Sequence, residues 1–357
     1  MANQCEQLVR LLRDEGADVT LVRTNAPARP QWINRLPVVR AGARLLPYLV
    51  NLWRGIGAAQ VVHVFANSGW AWHLLAWPAL WVARHRAVPA IVNYRGGLAD
   101  EFLARAPRHV RRNLAGAALR VTPSAFLLRV FDKHGLGAEV IPNIIDLTRF
   151  VPRPVRDFGN APHLIVTRNL EPIYDIPTAL RAFARVRARF PEARLTVAGS
   201  GPQREALQLL VQEMGLGDAV RFAGRVDNAH IGALYADADL ALNPSTADNM
   251  PISILEALAC GVPVVTTDAG GIPDLVHHSV TALIVPVGDD RAMADEALRL
   301  LDDPVLRARL VHQGGDEVKR YAWPRVRDQW LGAYQRAAQA AAAGTNVQRL
   351  EPKGDHR

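Results

Sequence analysis

Cysteine and lysine are both scarce in this chain. Cys5 and Cys260 are the only cysteines, and they lie far apart in the sequence. A disulfide framework is therefore excluded, and the composition fits a reducing compartment. Only Lys133, Lys319 and Lys353 are lysines among 42 basic residues. The first residues are polar and amphipathic rather than apolar, so we expect no secretory signal peptide and a cytoplasmic protein.

A long uninterrupted apolar run is also missing. Residues 55–83 contain no Asp, Glu, Lys or Arg, and a stretch of that length could cross a bilayer as a helix. Polar residues and proline interrupt it, among them His63, Asn67 and Pro78. The pattern instead predicts a strand, a polar turn and a short Trp-rich helix, so we predict no membrane span here.

The chain is long enough for more than one domain. It has 357 residues, of which 49% are apolar and 21% are charged, and 26 Gly and 24 Pro are spread through it. This length is about twice the ~150 residues of a common domain, so two domains are expected. The composition is that of a globular protein with ample core, which excludes fibrous and disordered classes.

Strand and helix patterns alternate along the chain, which predicts an α/β fold with parallel sheets. An amphipathic helix over residues 4–15 and a strand over residues 18–23 open the first series. Later in the chain, the same patterns predict a helix over residues 99–114 and strands over residues 90–94, 194–198 and 240–243. We interpret the whole as two doubly wound Rossmann-like domains. The predicted boundaries are residues 1–152 and 163–322 for the domains, 323–343 for a C-terminal helix packing back across them, and 344–357 for a disordered tail.

The N-terminal series lacks its first strand. A doubly wound sheet usually opens on a central strand, whereas this sequence starts inside the helix that would follow it. Omitting a central strand would leave the backbone groups of both neighbours unpaired in a buried place. Either the sheet has no middle strand or the start codon was assigned too late, and the second interpretation is favoured.

Positive charge is concentrated in the first half of the chain. Residues 1–150 carry 19 basic and 9 acidic side chains, whereas the remainder carries 23 and 25. The asymmetry predicts an anion-binding face on the N-terminal domain. A genome that favours arginine would produce the same bias.

Tryptophan and arginine also cluster in the first half. The residues concerned are Trp32, Trp53, Trp70, Trp72, Trp77 and Trp81 with Arg29, Arg35, Arg40, Arg44 and Arg54. Such a mixture is typical of an interfacial helix that contacts anionic lipid. The alternative is that most of these tryptophans are core residues.

The densest motif covers residues 243–273 and reads NPSTADNMPISILEALACGVPVVTTDAGGIP. Asp248 lies in a predicted loop after a strand, and Glu256 lies eight positions later in the following helix. Pro251 begins that helix, so its free amides and positive end predict an anion site near Asn249, Met250 and Ile252. A sugar nucleotide offers diphosphate to such amides and ribose hydroxyls to a carboxylate. The alternative for Glu256 is a surface carboxylate.

This motif resembles the signature of the family 4 retaining glycosyltransferases with the GT-B fold, in which two acidic residues separated by seven bracket a helix N-terminus. Residues 140–150 (VIPNIIDLTRF) resemble the family's domain-closing segment, and residues 197–202 (VAGSGP) resemble its Gly-rich turn. Residues 221–225 (RFAGR) follow at a similar spacing. The resemblance covers about residues 1–340 and rests on the ensemble of motifs.

The resemblance implies a role for each matched residue. Glu256 would bind the ribose hydroxyls of the donor, and Asp248 would face the transferred sugar and the diphosphate. Arg168 would hold the diphosphate with its planar fork, although a surface ion pair with Glu171 is the alternative. Gly199 and Gly201 would let the backbone approach the nucleotide, and Arg225 and Val226 would lie along its base. The other donor-binding residues implied are Asn249, Met250, Pro251 and Ile252.

The sequence departs from the family pattern in two places. Asp248 stands where the family usually has Glu, and no Lys follows Arg168 where the family has a second cation. Arg95, at the end of a predicted strand where family members often carry His, is the candidate to supply that charge from the other domain. The alternative for Arg95 is a turn residue that faces solvent.

The function implied is transfer of a hexose from a UDP- or GDP-linked sugar to a glycan or lipid-linked acceptor, with retention of configuration, in cell-surface polysaccharide or glycolipid synthesis. We expect no cofactor and no metal. The expected partners include an anionic membrane surface, bound through the N-terminal domain on the inner face of the cytoplasmic membrane. Nucleic acid is not expected, because no motif for it is present. Two alternatives remain: an epimerase or phosphorylase on the same fold, and a catalytically impaired homologue that acts as a binding protein.

Overall fold

A computed structural model of the chain describes residues 2–24, 37–152 and 158–349, without the side chains of 37–44 and 341–349. The chain forms two compact units: Met1–Ile141 with Arg327–Arg357, and Pro142–Val326. The first unit thus ends before the expected boundary at residue 152. The reason is that Ile145 and Phe150 are buried in the core of the second unit.

The described residues of the first unit form one parallel sheet of four strands. These are β1 (Val62–Ala66), β2 (Ala90–Tyr94), β3 (Leu119–Thr122) and β4 (Glu139–Val140). Their spatial order follows the chain, β1-β2-β3-β4, so each crossover moves in the same direction and β1 lies at an edge of the sheet in this part of the structure.

The helices of the first unit come from both ends of its sequence. They are α1 (Ala2–Asp14), α2 (Pro37–Ile56), a π-helix (Trp72–Ala76), α3 (Trp77–His85), α4 (Ala99–Arg105), α5 (Arg108–Ala115) and α6 (Ala125–Lys133), together with most of α14 (Trp323–Arg349). The single helix expected over residues 99–114 is divided at Pro107, whose backbone is extended, because proline disfavours helix at the residue before it.

The strand expected over residues 18–23 is wrong. These residues have no regular secondary structure. The guanidinium of Arg13 donates to the carbonyl of Val19 at 2.6 Å, and Val22 packs against the core beside α2. The alternating pattern therefore reflects packing of an irregular segment and a side-chain bond to its backbone, not pairing with a strand.

Both faces of the first sheet carry helices, as the sequence predicts. Val64 points to the face on which the wholly buried Trp72 lies. His63 points to the opposite face, where its ring lies 4.9 Å from Trp330 and its Nδ1 lies 2.7 Å from the hydroxyl of Tyr334. Helix α14 therefore packs on this opposite face, next to His63.

The second unit contains a parallel sheet of six strands within the described residues. They are β5 (His163–Val166), β6 (Arg194–Ala198), β7 (Val220–Gly224), β8 (Leu240–Asn243), β9 (Val264–Thr267) and β10 (Leu283–Val285). Their order is β10-β9-β8-β5-β6-β7. The direction of winding therefore reverses between β5 and β8, which makes this a doubly wound sheet with one switch point.

The helices of the second unit form a layer on each face of its sheet. They are α7 (Ile176–Arg189), α8 (Arg204–Glu213), α9 (Ile231–Ala236), α10 (Ile252–Ala259), α11 (Ile272–Leu275), α12 (Asp290–Asp302) and α13 (Pro304–Val318). Along β5, Leu164 and Val166 belong to one core cluster and Ile165 to the other. This alternation follows from the two-residue repeat of a strand buried on both faces.

The C-terminal helix is longer than expected. The tail was expected to be disordered from Gly344, but α14 runs to Arg349, because the alanine-rich run before Gly344 has a high helix propensity. Residues 350–357 of that predicted tail lie outside the described residues. In the described part of the chain, none of the helices is both long enough and apolar enough to span a bilayer.

Candidate active site

The candidate site lies at the switch point of the second sheet. Arg168 follows β5, and Asp248 follows β8, the neighbouring strand with which β5 pairs. In open α/β sheets, a crevice forms at the carboxyl ends of the strands where the order reverses, because the two adjacent crossovers diverge there. The two residues are 80 positions apart in sequence, and the sheet order brings them together.

Arg168 is held on several sides by the second unit. Its Nη2 donates to Oδ2 of Asp248, and its Nη1 donates to the hydroxyl of Ser253 at 3.2 Å. The guanidinium lies over the ring of Tyr174, 4.0 Å from its centre. The Nε of Arg168 is buried and has no hydrogen-bond partner among the described residues. Arg168 is therefore paired with Asp248 rather than with Glu171.

The carboxylate of Asp248 engages its own loop as well as Arg168. Its Oδ1 accepts from the amide of Asn249 at 2.8 Å, and its carbonyl accepts from the amide of Gly271 at 2.9 Å. Gly270 has φ +55°, and a Cβ at that position would collide with the Asp248 carbonyl. The amide of Asn249, expected to be available to an anion, is therefore already bonded to a carboxylate.

Helix α10 begins directly after Pro251, whose backbone is extended. The preceding Met250 is anchored because Nδ2 of Asn143 donates to its carbonyl at 2.8 Å. The unpaired amides of a first helical turn and the helix dipole favour an anion at this end. Ser253, in that first turn, holds Arg168, so the guanidinium lies beside the helix N-terminus.

Glu256 lies one turn further along α10 and is partly buried. Its Oε2 lies 3.2 Å from the hydroxyl of Tyr235. Burial raises the pKa of the Glu256 carboxyl to about 7, while the bond from Tyr235 and the charges of Arg149 and Arg168 lower it. The surface alternative for Glu256 is therefore incorrect, since desolvation and fixed neighbours control its ionisation.

Close packing against a neighbouring backbone explains why glycine occupies positions 199 and 201 in the turn after β6. A Cβ on Gly199 would collide with the carbonyl of Arg168, and one on Gly201 with that of Leu170. The amide of Leu170 also donates to the carbonyl of Ser200 at 3.1 Å. The close approach that the sequence predicted is thus made to the loop that carries Arg168. A contact of these glycines with a nucleotide stays a prediction.

Arg225 and Val226 lie at the edge of the second sheet. They follow β7, which is separated from β5 by β6, so they lie about 10 Å across the sheet from the strand before Arg168. Arg225 is exposed and Val226 is half-buried. Their assignment to the nucleotide base stays a prediction.

Arg95 lies in the first unit, directly after β2. Its amide donates to the carbonyl of Ala66 at 2.9 Å, and its guanidinium lies 5.3 Å from the ring centre of Phe65. Burial lowers the pKa of Arg95 to about 10, against the charge of Cys5. The side chain is therefore partly buried rather than a turn residue facing solvent. Its assignment to the departing diphosphate stays a prediction.

Sequence reasoning missed several residues that line the site. Tyr174 lies under Arg168 in the region where the family has a second cation, and Ser253 lies within the main motif. Arg149 lies in the segment at 140–150, which could have identified it as a second cation near Glu256. Tyr235 comes from α9, and its sequence context carries no signal for this role.

An Asp-x-Asp triplet, Asp237 to Asp239, lies away from the candidate site. It precedes β8 and so lies at the amino edge of the sheet, opposite the switch point. The Asp239 carboxylate accepts from the amide of His163 at 2.8 Å, which ties β8 to β5. Among the residues that the structure describes, no group of three or more His, Cys, Asp or Glu side chains could hold a metal ion.

Comparison with known proteins gives consistent matches. Residues 152–316 match the family model described as glycosyl transferases group 1. A phosphatidyl-myo-inositol mannosyltransferase of Mycobacterium leprae is 27% identical over 96% of this chain and 93% of its own length. A D-inositol 3-phosphate glycosyltransferase of Saccharomonospora viridis is 29% identical over 62% of this chain and 55% of its own. The structure of Anabaena Alr3699/HepE in complex with UDP and glucose aligns with a TM-score of 0.70 and 19% identity, over 81% of each chain.

Proposed function

The chain is a group 1 glycosyltransferase with the GT-B fold, and we propose that it transfers a hexose from a UDP- or GDP-linked sugar, with retention at the anomeric carbon. The family and fold predicted from the motifs are thereby confirmed. The names of the relatives specify phosphatidyl-myo-inositol and inositol phosphate. These names support an acceptor of the glycan or lipid-linked type, in polysaccharide or glycolipid synthesis.

One observation carries the donor assignment: the switch point combines an anion-binding end with a carboxylate one turn away. Arg168 lies beside the N-terminus of α10, and Glu256 lies four residues after the first residue of that helix. Four residues correspond to about 6 Å along the helix axis. A nucleoside diphosphate presents phosphates and ribose hydroxyls separated along one molecule, and this arrangement could bind both.

The proposed reaction relies on electrostatics and positioning. The bond between the anomeric carbon and the diphosphate oxygen breaks through an oxocarbenium-like state, and the acceptor oxygen bonds to the same face of the sugar. The proton of the acceptor passes to the departing diphosphate. Arg168 and the end of α10 stabilise the charge that develops on the leaving group, as preorganised donors do in other transferases.

The donor also has to displace an internal partner. Asp248 occupies Nη2 of Arg168, so a diphosphate that takes the guanidinium fork releases the carboxylate. Asp248 would then be free to accept from a hydroxyl of the transferred sugar. This exchange links binding of the phosphates to presentation of a carboxylate to the sugar.

Thermal stabilisation by nucleotides tests the donor site. UDP-, GDP- and other nucleotide sugars should stabilise the wild type and stabilise Glu256→Ala less, because the variant loses the ribose acceptor. Glu205→Ala, at an exposed glutamate of α8, is the matched control and should respond as the wild type does. Equal stabilisation of Glu256→Ala and the wild type would show that the donor binds elsewhere.

Product analysis tests the chemistry. With the donor identified by stabilisation, NMR of the glycosylated product should show the anomeric configuration of the donor. We also propose that no cofactor or metal takes part, so activity should persist in excess chelator. Inversion of configuration would contradict the retaining mechanism, and loss of activity on chelation, restored by a divalent cation, would contradict metal independence.

The aromatic cluster of the first unit is divided between core and surface. Trp72 is wholly buried, whereas Trp53, Trp70, Trp77 and Trp81 are between 42% and 79% exposed. Of the other residues in that prediction, Arg29, Trp32 and Arg35 lie outside the described residues, as do the side chains of Arg40 and Arg44. The core interpretation holds for Trp72 and not for the four exposed rings.

These exposed rings support the proposal that the first unit binds an anionic membrane surface on the cytoplasmic side. Trp53 of α2 lies 6.4 Å from Trp81 of α3, and the guanidinium of Arg86 lies over the Trp53 ring at 4.3 Å. Arg54 and Arg84 are exposed on the same two helices. Tryptophan with flanking arginine suits the headgroup region of anionic lipid.

Vesicle sedimentation tests the membrane proposal. The protein should sediment with vesicles of phosphatidylcholine and phosphatidylglycerol, less so at high salt, and not with phosphatidylcholine alone. Trp70→Ala should reduce binding, whereas Val305→Ala, at a residue of the second unit that is 78% exposed, should not. Absence of salt-sensitive binding to the anionic vesicles would contradict the proposal that the four exposed rings bind a membrane.

A further inference from the structure

We infer that the hydroxyl of Tyr235 is a positioning group for the donor: it holds the Glu256 carboxylate in the orientation that accepts the ribose hydroxyls. This inference rests on the proposed function, because it assumes that Glu256 binds ribose. Tyr235 itself does not contact the donor in this scheme. Its effect is transmitted through one oxygen of Glu256.

Burial makes the Tyr235 hydroxyl depend on specific partners. Tyr235 is wholly buried at the end of α9, in the core cluster that includes Ile254 and Leu255 of α10. A buried hydroxyl without a partner would be costly. Its oxygen lies next to Oγ1 of Thr167, 3.0 Å from the carbonyl of Ser253 and 3.2 Å from Oε2 of Glu256.

The donors and acceptors have a preferred order. Tyr235 has one hydrogen to donate, and Thr167 can donate to the oxygen of Tyr235. An ionised carboxylate is a stronger acceptor than a neutral carbonyl. The hydrogen of Tyr235 therefore goes to Glu256 when that carboxyl is ionised, and Thr167 donates to Tyr235. One oxygen of Glu256 is then fixed, which orients the other carboxylate oxygen as well.

The same hydroxyl links the two parts of the donor site. Thr167 is adjacent to Arg168 on the loop after β5, and the hydroxyl of Ser253 accepts a hydrogen bond from the Arg168 guanidinium. Tyr235 thus connects the loop that carries the cation with the helix that carries the carboxylate. A rigid link between them keeps the spacing of the phosphate and ribose sites constant.

The charges around Glu256 determine how the link should respond to pH. Arg149 and Arg168 favour the ionised carboxylate, and burial opposes it. Cys260 is a titratable neighbour of Tyr235. The pKa of Tyr235 is raised well above its usual value by burial and by the charge of Glu256. Because the Tyr235 bond lowers the pKa of Glu256, its loss should raise that pKa and delay ionisation to higher pH.

Calorimetric binding to Tyr235→Phe tests the inference. The variant keeps the ring in the core and removes only the hydroxyl. For the nucleoside diphosphate that the wild type binds, UDP or GDP, we expect about a tenfold loss of affinity at pH 7, as for one hydrogen bond to a charged group. The loss should shrink as the pH rises, because Glu256 ionises in both proteins.

A nucleotide without ribose hydroxyls separates positioning from general damage. The 2′,3′-dideoxy form of the same diphosphate cannot donate to Glu256, so the wild type and Tyr235→Phe should bind it equally. Tyr321→Phe is the matched control, since Tyr321 in the same unit has its hydroxyl 3.3 Å from Glu317. It should bind both nucleotides as the wild type does.

A second variant tests the same hydrogen-bond network in case Tyr235→Phe fails to fold. Thr167→Val keeps the shape of the side chain and removes the donor to Tyr235, so a smaller loss restricted to the hydroxylated nucleotide is expected. Equal losses on both nucleotides, or no loss in either variant, would overturn the inference. If Glu256→Ala binds the diphosphate as tightly as the wild type, or the wild type binds none, the proposed donor site itself fails.

Discussion

The two parallel sheets of this protein differ in the direction in which they are wound. In the first unit, the described strands follow chain order from β1 to β4, whereas the second sheet reverses between β5 and β8. The paired Arg168 and Asp248 lie at that reversal. Reversal separates adjacent crossovers and leaves room for a ligand, so the winding itself explains why the candidate donor site belongs to the second unit.

The excess of positive charge lies in the first half of the chain, whereas the candidate donor site lies in the second unit. The first 150 residues hold 19 basic against 9 acidic side chains, and the remainder is nearly balanced at 23 and 25. The candidate donor site nevertheless lies in the balanced part, because one arginine and one helix end at a crevice act at short range. Net charge in the first unit acts over a broad surface instead.

Removing the cation at the switch point should have the largest effect. Arg168→Ala should lower kcat/KM by about a hundredfold to a thousandfold, as for loss of one preorganised donor to a developing charge. Arg181→Ala, which breaks the exposed pair with Asp290, is the control. Steady-state kinetics with the identified donor would contradict the assignment if Arg168→Ala stayed within a few-fold of the wild type.

The second-largest effect should come from the glycine turn that holds the Asp248 backbone in place. Gly270→Ala introduces both a positive φ and a collision with the Asp248 carbonyl, whereas Gly288→Ala has positive φ, +79°, in open space. We expect Gly270→Ala to lower the free energy of unfolding by about 3 kcal/mol or more and Gly288→Ala by about 1 kcal/mol. Urea unfolding measures both, and equal losses would show that the collision is unimportant.

Glu256 should make stability and donor binding respond to pH in opposite directions. Its pKa is raised to about 7 in the folded protein, so its ionisation costs stability as the pH rises from about 4.5 through 7. Glu256→Gln should remove this loss and be more stable than the wild type by about 2 kcal/mol at pH 8.

The same ionisation should strengthen nucleotide binding in the wild type, because the ribose hydroxyls need an acceptor. Chemical unfolding and calorimetry across this pH range measure the two quantities. Glu213→Gln, at an exposed glutamate near the end of α8, is the control for stability. A wild type whose stability and nucleotide affinity both stay flat from pH 5 to 8 would contradict the raised pKa.

The smallest effect should come from a single charge on the first unit. Arg86→Gln removes one cation near Trp53 and should weaken binding to anionic vesicles by about fivefold, or ~1 kcal/mol. Arg309→Gln, at an exposed arginine of the second unit, should leave vesicle binding unchanged. If the two variants weaken binding equally, net charge rather than the aromatic face is responsible.

Elements with strong local signals were predicted at their observed bounds. The strands Ala90–Tyr94, Arg194–Ala198 and Leu240–Asn243 are examples, because buried parallel strands are short apolar runs bounded by turn residues. Helix α2 was missed. Pro37 begins it and Pro47 lies inside it, and proline conceals a helical pattern even where the helix continues.

The site was predicted in part. The motif at 243–273 identified Asp248, Glu256 and the helix that begins between them, since their spacing is local. Their actual partners were not predictable: Arg168 pairs with Asp248 across two neighbouring strands, and Tyr235 reaches Glu256 from another helix. Such contacts depend on strand order, which the chain alternation alone leaves open.

The sequence by itself determined that the chain forms two parallel-sheet α/β domains, that its motifs resemble those of a glycosyltransferase group, and that an acidic pair brackets a helix N-terminus. Periodicity and motif spacing carry that information locally. Only the tertiary structure decided which cation meets which carboxylate, how burial raises the pKa of Glu256, and which tryptophans remain exposed. These properties arise where distant segments pack together, since desolvation and pairing depend on neighbours that the sequence places far apart.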